Sequence, residues 1–101
     1  MNLPFEEKSI EENNSFILVE RTFNKKLDDK ELVWHRDKED RDIILKEGED
    51  WYIQMDNELP VLMSNDNVYK IPSYTWHRII NKNRTKLIIE VKKYKWILKK
   101  Y

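Results

Sequence analysis

Residues 66–81, Asp66-Asn67-Val68-Tyr69-Lys70-Ile71-Pro72-Ser73-Tyr74-Thr75-Trp76-His77-Arg78-Ile79-Ile80-Asn81, decide how this chain folds. They hold two short β-favouring runs, Val68 to Ile71 and Trp76 to Ile80, with a proline-containing turn between them. Outward from this stretch the same grammar repeats. Ser15 to Phe23, Glu31 to Asp37, Arg41 to Lys46, Trp51 to Met55, Leu59 to Met63 and Lys86 to Lys93 are rich in β-branched and aromatic residues. Turn-forming clusters separate them about every ten residues, the spacing of a sandwich or barrel. Along Glu31 to Asp37, alternation predicts Val33 and His35 on one face and Leu32 and Trp34 on the other. Pro60 suggests an edge position for its run. Helix is plausible only at the two ends, as a turn or two over Glu6 to Glu12 and, as an alternative to strand, over Tyr94 to Tyr101.

The 101 residues are the size of one domain, 1–101, with no linker, repeat or low-complexity segment. Nineteen basic residues balance nineteen acidic ones. That balance argues against a generic electrostatic nucleic-acid binder, which needs a basic excess. The basic, aromatic-rich end from Lys92 to Tyr101 is read as a solvated edge strand rather than an RNA-binding tail. With no cysteine, neither disulfides nor thiolate metal sites are available. No apolar run could span a bilayer, and the acidic N-terminus lacks the apolar core of a signal peptide, so the expected location is cytoplasmic. There is a single glycine, Gly48, so turns are expected to rely on Asn and Asp.

From Trp34 to Asn81, about half the chain, the sequence resembles the cupin superfamily. That family's first motif carries two histidines one residue apart, then a glutamate, then a glycine after a short strand. Here His35, Asp37, Arg41 and Gly48 occupy those places. The second motif runs from a glycine to a proline, a second glycine, a histidine and an asparagine. Pro72, His77 and Asn81 match it, while Asp66 and Tyr74 replace the two glycines. The resemblance implies an all-β fold, a small antiparallel jelly-roll barrel of the RmlC-like, double-stranded β-helix type. It also implies a homodimer.

The departures fall on the metal ligands, because Asp37 replaces a histidine and Arg41 a glutamate. His35, Asp37 and His77 still offer two imidazoles and a carboxylate, enough for an iron(II) facial triad or an open zinc site. Fe, Mn, Ni and Zn are the candidate ions. Against a metal, Arg41 brings a permanent cation to the fourth position and is expected to pair with Asp37. The competing reading is a metal-free polar network of the same residues. On β-alternation, Tyr52 and Gln54 share one face and Trp51, Ile53 and Met55 the other, so either face could line the barrel. The candidate ligand-binding set is therefore His35, Asp37, Arg41, Gln54 and His77. Three functions are compatible with it: an enzyme using the histidines as ligands or proton carriers, a binder of a small polar or anionic molecule, and a non-catalytic module that self-associates through exposed tryptophans such as Trp76. No serine sits on a strained elbow and no glycine loop could cradle phosphate.

Overall fold

The computed structural model describes residues 5–24, 33–81 and 85–95. Eight strands follow one another: β1 (Phe5–Glu12), β2 (Phe16–Phe23), β3 (Arg41–Glu47), β4 (Trp51–Met55), β5 (Val61–Leu62), β6 (Val68–Ile71), β7 (His77–Asn81) and β8 (Leu87–Tyr94). They form a five-stranded sheet in the order β1-β2-β8-β3-β6 and a three-stranded sheet in the order β5-β4-β7. Every ladder between these strands is antiparallel. Among the described residues there is no helix, and hence none long and apolar enough to cross a membrane.

Period-two alternation decides what each strand turns inward. In β8, Leu87, Ile89 and Val91 are buried while Ile88, Glu90 and Lys92 lie on the other face. In β4, Trp51 and Ile53 are buried and Tyr52 and Gln54 turn away. Trp51 is the largest fully buried side chain. Its indole N–H donates to the Thr85 carbonyl at 3.0 Å, so the ring is buried without an unsatisfied donor. The Phe23 ring packs against it at 5.8 Å between centroids.

The tight turns do without glycine by holding other residues at positive φ: Asp50, Asn57, Asp66 and Tyr74 at 60°, 61°, 65° and 58°. Gly48, at φ 155°, is required sterically. A Cβ there would lie 2.9 Å from Leu87 Cδ1 and 3.3 Å from the Lys86 carbonyl oxygen.

Three sequence expectations are corrected. Glu6 to Glu12 is strand and not helix, because Phe5 packs on Phe23 and Glu7 pairs with Arg21 across the β1–β2 ladder. Glu31 to Asp37 does not form a full strand in its described part. Only His35 is bridged, opposite His77. The lysines at 92 and 93 lie on a central strand and not an edge, since β8 sits between β2 and β3. The basic tail from 96 to 101 lies outside the described residues, as do Asp28-Asp29 and Lys82-Asn83, two of the Asn- and Asp-rich places where turns are expected.

Candidate functional site

A cavity of about 310 Å³ opens between the two sheets. Its polar lining comprises His35, Asp37, Arg41, His77 and Arg21, and its apolar walls include five isoleucines: Ile43, Ile53, Ile71, Ile79 and Ile89. Four of the five sequence-derived candidates therefore share one hollow. Gln54 does not reach it. Alternation places Gln54 on the reverse face of β4, where its amide donates to the Glu58 carbonyl and its oxygen accepts from Arg78 Nε.

The two histidines meet because their backbones form an antiparallel bridge. Each N–H donates to the other's carbonyl, at 3.0 and 2.9 Å. The imidazole centroids lie 4.2 Å apart in an edge-on arrangement. On both sides of the bridge the same local contact sets the ring. His35 Nδ1 bonds the Val33 carbonyl at 3.0 Å, and His77 Nδ1 bonds the Thr75 carbonyl at 2.8 Å. A carbonyl can only accept, so each Nδ1 carries the proton. With Nδ1 protonated, the neutral form of such a ring presents its lone pair on Nε2.

Both Nε2 atoms lie close to one carboxylate oxygen. Asp37 Oδ2 lies 3.5 Å from His77 Nε2 and 3.9 Å from His35 Nε2. These separations exceed a hydrogen bond, and Oδ2 is a buried atom with no hydrogen-bond partner. Three potential ligand atoms thus gather within 4.8 Å of one another. Such a set could hold a cation. Metal–ligand bonds of about 2.1 Å place neighbouring ligand atoms about 3 to 3.5 Å apart, so the three side chains would have to draw closer to seat a divalent ion.

Asp37's other oxygen is held by Arg41 at 3.2 Å. Arg41 also pairs with Glu39, at 2.5 Å through Nη2 and 2.7 Å through Nε. The guanidinium at the motif's fourth position is therefore neutralised by two carboxylates, which lessens its repulsion of a metal. The stretch from His35 to Asp42 is more ordered than a solvated hairpin. The turn after β6 is stitched to it, with Tyr74 N–H donating to the Asp37 carbonyl at 2.6 Å and Ser73 N–H to Asp40 Oδ1 at 2.7 Å. Burial holds the His77 imidazole below its ordinary pKa, opposed by its hydrogen bond to the Thr75 carbonyl and by Asp37 and reinforced by the nearby His35 and Arg41. The neutral, ligand-competent form is favoured.

Outside the cavity, Trp34 and Trp76 lie on the opposite face from the histidines. Arg78 stacks on Trp34 at 4.8 Å and Arg36 on Trp76 at 5.1 Å. These cross-strand pairs clamp the segment around His35 to β7.

Sequence reasoning missed Arg21. It lies inside SFILVERTF, which reads as a plain core strand. The clue was there: Ile17, Val19, Arg21 and Phe23 share a face, and only one of them is charged.

No sequence-family model matches the chain, and no protein of curated function resembles it in sequence. Solved structures do resemble it in shape. An RmlC-like cupin from Shewanella frigidimarina superposes with a TM-score of 0.76 at 13% identity, over 99% of this chain and 82% of its own. A cupin domain from Bordetella pertussis gives 0.68 at 16%, covering 94% and 98%. KdgF from Halomonas sp. gives 0.72 at 14%, covering 91% and 82%. The chain has the cupin fold, a double-stranded β-helix. Within that fold its candidate metal-holding set is the reduced one of His35, Asp37 and His77.

Proposed function

We propose that this protein binds a small polar or anionic ligand in the barrel, beside a divalent metal held by His35, Asp37 and His77. The observation that carries this reading is the closeness of both Nε2 atoms to the orphaned Asp37 Oδ2. A divalent ion bound there supplies a Lewis acid to an oxygen of the ligand. Fe, Mn, Ni and Zn all suit two imidazoles and a carboxylate with open positions.

The chain's own residues do the rest. The Nδ1–H bonds to Val33 and Thr75 fix the rings, a constraint that raises ligand basicity and orientation together. Arg41 holds Asp37 in place through its second oxygen. The isoleucine walls exclude water from the ligand's body and strengthen polar contacts made at the floor.

Elemental analysis of protein purified without a histidine tag tests the reading. Near-stoichiometric metal, lost in His35→Ala and in His77→Ala, is the expected result. Protein that carries no metal and gains no thermal stability from Fe, Mn, Ni or Zn would overturn it.

A second reading, a self-associating module in the cytoplasm, is favoured by exposed apolar side chains. Leu59 is 83% exposed, and Val61 and Leu62 project at the β5 edge, while Trp76 is half-exposed elsewhere. Sedimentation of the wild type and of Trp76→Ala and Leu62→Ser variants separates a homodimer from a monomer.

A further inference from the structure

The cavity is lined by two arginines rather than one. Arg41 stands by the histidines. Arg21, on β2, is the other permanent cation among its described lining residues. The two strands are separated by β8, and β8 pairs Ile89 with Arg21 but Lys93 with Arg41. Two strand spacings and four residues of rise put their backbones about 10 Å apart across the sheet and about 13 Å apart along it. Both side chains nonetheless reach the same hollow.

Arg21 is built in with care. Its side chain is only 14% exposed. Its Nε–H donates to Glu7 Oε1 at 2.8 Å, and its guanidinium lies 4.2 Å from the Phe5 ring centre. Among the described residues no acceptor takes its two Nη groups. A β1–β2 cross-strand ion pair needs no buried arginine, since a surface pair would tie the strands without the desolvation cost. A guanidinium held through its Nε edge and lining the cavity is instead suited to a bidentate carboxylate. The apolar walls of the same cavity include the five isoleucines.

We propose that the ligand of this cavity is a short-chain diacid. One carboxylate sits at the His35–Asp37–His77 end beside Arg41, the second is gripped by the Arg21 fork, and the methylene segment lies against the isoleucines. The inference rests on the proposed function above, in that the metal-holding end must first accept an anion.

Calorimetric titration of tag-free protein, carrying the metal it retains or Mn(II) where it retains none, tests both. The probes are glutarate against valerate and adipate against caproate, pairs of equal carbon number that differ by one carboxylate. The diacid of each pair should bind about ten-fold or more tightly than its monoacid. In Arg21→Gln that preference should vanish, with monoacid affinity and metal content unchanged. Monomethyl glutarate on the wild-type protein supplies the same comparison should Arg21→Gln fail to fold, and should bind like valerate. Equal affinity within each pair, or a preference that survives Arg21→Gln, overturns the diacid while leaving the anion site standing. Binding of neither class of acid overturns both.

Discussion

His77 is the residue on which the site's pH behaviour turns. Its neutral form is favoured in the folded protein, chiefly by burial, while an unfolded histidine titrates near 6.5. The unfolded chain therefore takes up a proton before the folded one does. Stability is full above about pH 6.5 and falls as pH drops from there toward the lowered folded value. Thermal melts between pH 8 and 5 should show this decline, and His77→Gln should flatten it. Arg41 makes a second prediction. Its side chain is 12% exposed and answers both Asp37 and Glu39, so Arg41→Ala leaves two partly buried carboxylates uncompensated. A loss of about 3 kcal/mol in denaturant unfolding is expected. At this scale the sequence was informative about His35, Asp37, Arg41 and His77, because motif spacing singles out individual positions. It was silent on which face of β4 turns inward, since Trp51, Ile53 and Met55 alternate with Tyr52 and Gln54 either way round. Only packing against Phe23 and the Thr85 carbonyl resolves that.

Among the elements, the turn from Pro72 to Trp76 carries a cost that is visible in its backbone. Tyr74 occupies left-handed space at φ 58° while its N–H holds the Asp37 carbonyl. A side chain with a Cβ is strained there, and glycine is not. Tyr74→Gly should raise stability by about 1 kcal/mol in chemical denaturation and leave metal content unchanged. Gly48→Ala should do the reverse, because its Cβ would press on Leu87 and on the Lys86 carbonyl oxygen. A drop of 1 kcal/mol or more in the same measurement, on the order expected for overpacking, is the predicted outcome. Element boundaries were legible where alternation is clean: Trp51–Met55 and Val68–Ile71 form strands over the residues the sequence suggests. β1 was not legible. Its sequence, FEEKSIEE, has no apolar face and looks helical by composition, and it becomes a strand only because β2 supplies partners for Phe5 and Glu7.

For the molecule as a whole, the proposed metal would be linked to the fold. An ion that binds only the folded state stabilises it by about 2.7 kcal/mol at a hundredfold excess over its dissociation constant. Saturating metal should therefore raise the melting temperature, and a chelator should reverse the gain in the wild type but not in His77→Ala. The overall topology could be read because half the chain carries a recognisable spacing. The second arginine could not, since Arg21 and Arg41 reach one interior only when β2 and β3 are placed on either side of β8. The paired rings have a practical corollary. Because each imidazole is steered by a main-chain oxygen two positions earlier, and not by a neighbouring side chain, their pose depends on little beyond the path of two crossing backbone segments. A protein engineer could recode almost everything around them, or install the same pair on an unrelated antiparallel bridge, and still find both Nε2 atoms close to a common spot.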